Sequence, residues 1–332
     1  MALTAAAVEG ASSPDLSIVV PLFNEEESIA ALIARVVAAM AHYPGTWNLF
    51  LVDDGSTDAT LLKAREAARL HTAEIRLVEM QRNFGQTAAM QAGIDLADGH
   101  LIATMDGDLQ NDPADIPRMV ETLEARQLDL LVGWRKNRKD GLFLRKVPSW
   151  CANYLIGKIT GVKLHDYGCS LKIYRSAVIK QVQLIGEMHR FIPAWVAVVV
   201  PSSRIGEVPV NHQARQFGQS KYGISRAFRV ILDLLSVLFF MRYKARPGHF
   251  FGSLGLGCGA ISGLILLYLA VDKFIFGSDI GTRPLLLIGV MLFLSSLQLI
   301  TTGILAEMLA RTYFQSDQSA SYIIRDVTRV SP

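Results

Sequence analysis

The sequence predicts an α/β domain built on a mostly parallel sheet, followed by a two-helix transmembrane hairpin. Three observations carry that expectation. Short β-branched runs alternate with helical patterns between Leu16 and Gly133, and most of those runs end in acidic or amide residues. Two uncharged stretches, Phe250–Val271 and Pro284–Ala306, close the chain.

The elements follow in order. Leu16–Leu22 (LSIVVPL) is the first buried run, and Asn24-Glu25-Glu26-Glu27 opens a helical pattern reaching Met40. Asn48–Val52 is the second run and ends in Asp53-Asp54-Gly55-Ser56-Thr57-Asp58. Ser56 or Thr57 is placed to cap a helix over Ala59–Leu70. Ile75–Glu79 is the third run, followed by Asn83-Phe84-Gly85 and a helix from Gln86 to Asp95. His100–Met105 is the fourth, ending in Asp106-Gly107-Asp108, and Leu128–Gly133 is the fifth. Buried strands alternating with helices imply a parallel sheet covered on both faces, with its ligand beyond the carboxyl ends of the strands. Those ends carry Asn24/Glu25, Asp53/Asp54, Asn83 and Asp106/Asp108, so the polar chemistry converges on one crevice. No G-x-G-x-x-G or G-x-x-x-x-G-K-[ST] follows a strand, which disfavours a dinucleotide oxidoreductase or a P-loop NTPase.

The chain has 332 residues, 51% hydrophobic and 19% charged, with a mean hydropathy of +0.29. An ordinary soluble domain is about 45–50% apolar with about a quarter of its residues charged. The surplus sits in the two C-terminal stretches, each long enough for the about 20 apolar residues that a bilayer requires. A pair of buried core helices is the alternative; two adjacent Gly- and Ser-rich lengths favour spans at about 249–271 and 284–307. Asp272–Arg283 joins them into a hairpin whose outer ends share one side of the membrane. Arg226, Arg229, Arg242, Lys244 and Arg246 precede the first span, and Arg311, Arg325 and Arg329 follow the second. The loop between holds only Lys273 and Arg283, which puts both termini and the soluble domain in the cytoplasm.

Residues 1–15 read as a loose tail without an export signal, 16–224 as the soluble domain and 311–332 as a cytoplasmic C-terminal tail. Residues 225–247 read as an amphipathic helix in the membrane interface, or as a buried helix of the soluble core. Gln298 and Glu307 are costly in lipid. Packing against a neighbouring subunit or snorkelling to the headgroups would relieve them, and a homo-oligomer is the preferred expectation. A net charge of +3 from 33 Lys+Arg and 30 Asp+Glu implies no nucleic-acid partner. Cys151, Cys169 and Cys258 lack C-x-x-C spacing, which argues against zinc and against a disulfide framework. His165, His189 and His212 fit no local ligand motif and read as structural residues.

Asp106 and Asp108 carry the chemistry. In extended geometry residues i and i+2 share a face, so both carboxylates can approach one cation. Oxygen-only ligands favour Mg²⁺ or Mn²⁺, with substrate phosphates filling other positions. Arg135, Lys136, Arg138, Lys139, Arg145 and Lys146 make a basic run, fitted both to phosphate binding and to anionic headgroups.

Together these residues resemble a family. VPLFNEEE at Val20–Glu27, VDDGSTD at Val52–Asp58 and MDGDLQNDP at Met105–Pro113 are similar to the nucleotide-sugar half of family 2 inverting glycosyltransferases of GT-A fold. DYGCSLKIYR at Asp166–Arg175, GEMHRFIPAW at Gly186–Trp195 and RQFGQSKYG at Arg215–Gly223 resemble the polyprenyl-phosphate branch, which includes dolichol-phosphate mannosyltransferases and bacterial undecaprenyl-phosphate glucosyltransferases. The resemblance runs from Ser17 to Arg325. It implies that Asp106 and Asp108 hold the metal and diphosphate beside Gln110, and that Pro21, Phe23, Glu25 and Asp54 cradle the nucleoside. It also implies that Arg135, Arg145 and Ser149 hold the acceptor phosphate, that Arg215 and Lys221 close over the diphosphate, and that His189 and Arg190 lie near acceptor or sugar. Asp166 resembles a carboxylate near the transferred sugar, with ordering of the loop before Gly168 as its alternative role.

The implied reaction moves a hexose from a UDP- or GDP-sugar donor to a polyprenyl phosphate, undecaprenyl or dolichyl, in a bacterial inner membrane. The phosphate nucleophile is already anionic near pH 7, its second pKa being about 6, so a strong general base is dispensable. Processive polysaccharide synthases of the same superfamily resemble one another in Q-x-x-R-W and further spanning helices, which this chain lacks. A catalytically silent membrane scaffold is the rival of a different class.

Overall fold

The computed structural model describes residues 13–136, 157, 161–184, 186, 188–213, 239, 247–315 and 322–330. The chain forms two compact units, one built on a sheet and one on two long helices. In the first, β1 (Leu16–Leu22), β2 (Trp47–Asp53), β3 (Glu74–Met80) and β4 (Leu101–Thr104) run parallel, with β1 between β2 and β4. All seven residues of β1 are buried, because helices pack on both faces of a parallel sheet. α1 (Ile29–Met40) buries Ile29, Leu32, Ile33, Val36 and Met40, an i, i+3, i+4, i+7 stripe. α2 (Thr60–Ala68), α3 (Gln86–Leu96) and α4 (Asp115–Ala125) fill the remaining crossovers. α3 lies close on the sheet: a Cβ on Gly93 would sit 2.3 Å from Val19 Cγ1, so glycine permits the approach that sets the height of the helix's N-terminus.

Three strands go beyond the five read from the sequence. β5 (Leu130–Trp134) and β7 (Ile205–Pro209) are parallel, and β6 (Lys172–Arg175) runs antiparallel between β4 and β5. Four residues with a cation at each end give too little periodicity to announce β6. β8 (Ile324–Val330) pairs antiparallel with β3 at the sheet edge, so the residues read as a C-terminal tail include a strand. Its exposed, charged pattern disguised it. Arg325 pairs with Glu79 at 3.0 Å, Arg329 with Glu74 at 3.2 Å, and the Tyr322 hydroxyl donates to Asp95 at 2.6 Å. Arg325 and Arg329, which read from sequence as cations flanking the membrane, serve the sheet. A chain cut after Arg246 loses β8 and bares the β3 edge, whereas an internal deletion that retains 320–332 keeps it. Light scattering of the two should show aggregation confined to the first.

The expected cap of α2 is also corrected. Ser56 Oγ accepts the Asn24 N–H at 2.9 Å, and the Thr57 N–H donates to Asn24 Oδ1 at 2.9 Å. Both residues are thus tied to the loop after β1, and Asp58 takes the Thr60 N–H at 3.0 Å instead.

Small α5 (Ser176–Ile179) and α6 (Ile192–Val196) are two further α-helices of the first unit. The second unit pairs α7 (Pro247–Phe276) with α8 (Pro284–Gln315); Gly248–Phe276 and Pro284–Leu309 are each long and apolar enough to cross a membrane. Small residues line their contact: a Cβ on Gly255 would meet Ile300 Cγ1 at 2.8 Å, and one on Gly259 would meet Ser296 Oγ at 2.7 Å. Ser262 Oγ donates to the Gly289 carbonyl at 2.8 Å, the kind of interhelical bond found in bilayers. Leu256, Leu264, Leu294 and Leu309 are 58–70% exposed, so this is not the buried core pair considered as the alternative. Arg283, in the loop before α8, pairs with Asp272 in the last turns of α7. Glu307 accepts the Gly248 N–H at 3.3 Å, one of the donors that a helix start leaves without an internal partner. Its carboxylate therefore has a partner within the hairpin. The amphipathic reading of 225–247 falls outside the described residues except at Phe239 and Pro247.

Candidate active site

Loops from β1, β2, β3 and β4 meet beyond the carboxyl ends of the strands. Asn24 adopts φ 56°, a left-handed conformation that Asn tolerates better than most residues. Gly55 has φ 68°, and a Cβ there would lie 2.6 Å from the Arg82 carbonyl carbon. Only glycine lets the Asp53–Asp58 loop rest on the Arg82–Asn83 backbone. Gly55→Ala is expected to destabilise the domain by about 2–4 kcal/mol, combining left-handed strain with a backbone clash; urea unfolding would measure it.

Asp53 and Asp54 divide their work. Asp54 is buried and accepts the N–H groups of Phe84 at 2.7 Å and Gly85 at 2.9 Å, fixing the start of α3. Burial pushes its carboxyl above the usual range, and those two N–H groups pull it back. Asp53 Oδ2 accepts the Ser56 N–H at 3.1 Å, while Oδ1 is buried without a partner. Pro21 is buried in β1 beside Val52. Phe23 is 42% exposed, and Glu25 accepts the Ser28 hydroxyl at 2.7 Å.

Asp106 and Asp108 lie on the loop after β4 rather than in extended strand. Gly107 lets that loop pass over β1, since a Cβ would sit 2.7 Å from Leu22 Cδ2. Leu109 is buried at φ 61°, a strained state for a bulky residue that its burial offsets. Gln86 Nε2, from the first residue of α3, donates to Asp106 Oδ1 at 2.7 Å. Burial and the charge of Asp108 raise the Asp106 carboxyl above its ordinary range; the Ser170 hydroxyl, Lys172 and Arg135 act against them. Asn111 Nδ2 donates to Ser170 Oγ at 2.6 Å, leaving the hydroxyl proton for Asp106. Asp108 Oδ1 accepts the Gln110 N–H at 3.2 Å.

Arg135 and Asp166 form a two-pronged ion pair, Nε to Oδ2 at 2.7 Å and Nη2 to Oδ1 at 2.9 Å, with side chains 13% and 14% exposed. Asp166 also accepts the Gly168 N–H at 3.2 Å. Lys172 is buried in β6 and donates to the Cys169 carbonyl. Burial lowers its ammonium pKa, while the Cys169 thiol, Asp106 and Asp166 raise it. The Gln213 N–H donates to the Gln110 carbonyl at 2.9 Å, and Asn111 pairs with His212. Arg145, Ser149, Arg215 and Lys221 lie outside the described residues.

Sequence reading missed Gln86, Ser170 and Lys172. Gln86 reads as an ordinary first helical residue, and a lysine within KIYR reads as a surface cation. The histidines separate: His165 stacks on Trp134 with centroids 4.4 Å apart and bonds Glu207, while His189 Nδ1 meets Thr87 Oγ1 at 2.6 Å.

Residues 17–183, half of the chain, match glycosyl transferase family 2. The chain belongs to that family. Within it the chain is a member of the polyprenyl-phosphate glycosyltransferases. It is 71% identical over 331 residues, 98% of each chain, to the dodecaprenyl-phosphate galacturonate synthase of Rhizobium johnstonii. It is 33% identical over 315 residues to the undecaprenyl-phosphate 4-deoxy-4-formamido-L-arabinose transferase of Aeromonas hydrophila, covering 95% of this chain and 94% of that one. The fold resembles glucosyl-3-phosphoglycerate synthase of Mycobacterium tuberculosis, solved with Mn²⁺, UDP and glucosyl-3-phosphoglycerate. That likeness has a TM-score of 0.53 at 17% identity over 68% of this chain and 80% of that chain. It establishes the GT-A fold of this family 2 glycosyltransferase.

Among the described residues no group of three or more His, Cys, Asp or Glu is placed to hold a metal. Asp106 and Asp108 offer two carboxylates and hard oxygen donors only. That set fits Mg²⁺ or Mn²⁺, which keep positions for water and substrate phosphate.

Proposed function

We propose that this glycosyltransferase moves a uronic acid, galacturonate, from a UDP- or GDP-linked donor to a long polyprenyl phosphate with inversion at the anomeric carbon. The single observation that supports the sugar and acceptor is 71% identity over 98% of a dodecaprenyl-phosphate galacturonate synthase. The acceptor phosphate oxygen attacks the anomeric carbon, a new C–O bond forms, and the nucleoside diphosphate leaves with the old bond's electrons. Asp106 and Asp108 would hold Mg²⁺ or Mn²⁺ against the diphosphate, with Gln110 beside them. The cation, when bound, neutralises charge gathering on the leaving diphosphate, usually the largest catalytic contribution. Arg215 and Lys221 add positive charge there, and Pro21, Phe23, Glu25 and Asp54 shape the nucleoside side. Arg135, Arg145 and Ser149 offset repulsion between the two phosphates, since guanidinium groups bind phosphate in fork geometry. Asp166 keeps Arg135 in place and need not touch the sugar.

The hairpin gives the chemistry its address. A polyprenyl chain stays in the bilayer, so α7 and α8 hold the domain at the headgroups with both termini cytoplasmic. Gln298, exposed on α8, supports self-association as a homo-oligomer. A panel of radiolabelled UDP- and GDP-sugars with dodecaprenyl, undecaprenyl and dolichyl phosphate tests the proposal. Label should enter organic solvent with the galacturonate donor and a polyprenyl acceptor. Donor binding without glycolipid from any pair would favour the silent scaffold.

A further inference from the structure

We propose that Asp54 and Gln86 form a positioning chain that aims Asp106 at the metal. The inference rests on the reading of Asp106 as a ligand, and it gives Asp54 a task beside the nucleoside role the resemblance implies. Asp54 stands at the end of β2 with both oxygens engaged, Oδ1 by the Phe84 N–H at 2.7 Å and Oδ2 by the Gly85 N–H at 2.9 Å. Those bonds fix the turn in which Gly85 takes φ 97° and from which α3 starts. The next residue, Gln86, donates Nε2 to Asp106 Oδ1 at 2.7 Å. Gly93 seats the same helix against Val19 of β1, so α3 has little freedom to slide.

One oxygen of Asp106 is thus held by an amide, which fixes the plane in which its carboxylate would meet a cation. Gln86 itself is exposed and contributes little burial, so its amide serves orientation more than stability. Groups that orient a ligating carboxylate change metal affinity by about 10–100-fold when removed. The chain also joins the two ends of the donor site, because the loop after β2 and the loop after β4 are linked through one helix start.

The test uses the full chain in detergent and calorimetric titration with UDP and with GDP, each with and without Mn²⁺. Wild type should bind one nucleotide more tightly when Mn²⁺ is present. Gln86→Leu should lose about 10-fold or more of that Mn²⁺-dependent gain, with nucleotide affinity in the absence of metal and Tm both unchanged. Asp106→Asn should lose the gain altogether. If Gln86→Leu keeps the full gain while Asp106→Asn abolishes it, the positioning chain is wrong and Asp106 remains a ligand. If Asp106→Asn also keeps the gain, the metal reading falls and the chain falls with it.

Discussion

Asp106→Asn is expected to lower glycosyl transfer by about a thousandfold or more while leaving the fold intact. The loss follows from charge. A bound cation contributes several kcal/mol to a transition state that gathers negative charge on the leaving diphosphate, and each 1.36 kcal/mol is about a factor of ten. An amide offers a single neutral oxygen in place of a carboxylate, and Asp108 alone is a poor anchor. The fold survives for a local reason. Burial and Asp108 already disfavour charge at Asp106, so a neutral side chain removes repulsion rather than support. Asn still accepts from Gln86. Initial rates with saturating donor and Mn²⁺, beside a thermal melt, separate the two effects. Near-normal turnover in Asp106→Asn and in Asp108→Asn would remove the metal from the account.

Asp166→Ala is expected to cost about 3–5 kcal/mol of stability, because it strands the Arg135 guanidinium in a nearly closed setting. Burial works against that guanidinium's charge, yet Asp166 outweighs burial and holds its pKa above the ordinary value. A paired replacement, Arg135→Met with Asp166→Leu, should regain most of the stability, since an apolar pair of similar volume is often neutral or better than a buried ion pair. It should not regain transfer, because acceptor phosphate loses its arginine. Urea unfolding and acceptor KM measured on the single and paired variants test this. Full activity in the paired variant would make the ion pair purely architectural and move the acceptor phosphate elsewhere.

Much of this molecule could be read before its structure. The parallel strands β1, β2 and β4 announce themselves through short, mostly apolar runs, and β3 through Ile75, Leu77 and Val78 set between charges; their polar ends mark the crevice because side chains there have no core to join. The two long apolar helices are equally plain, as each is an uncharged length that meets the span of a bilayer. What stayed hidden depends on long-range pairing. β8 carries Arg325 and Arg329 on an edge, and Glu79 and Glu74 of distant β3 explain them. Lys172 is buried because β6 lies between β4 and β5, a placement that four residues cannot signal. Ser56 and Thr57 have the composition of helix caps, but Asn24 outcompetes α2 for them. The division between Asp54, which holds α3, and Asp53, whose Oδ1 is left open, is likewise a matter of orientation that two adjacent identical letters do not disclose.

The most direct measurement is an anomalous-scattering map at the manganese edge, from crystals of the full chain grown with Mn²⁺ and the nucleoside diphosphate that binds. The account predicts one strong peak bridging Asp106, Asp108 and the diphosphate oxygens at the carboxyl ends of the strands. A diphosphate seated in that crevice with manganese elsewhere, or with both aspartates turned from it, would contradict the account.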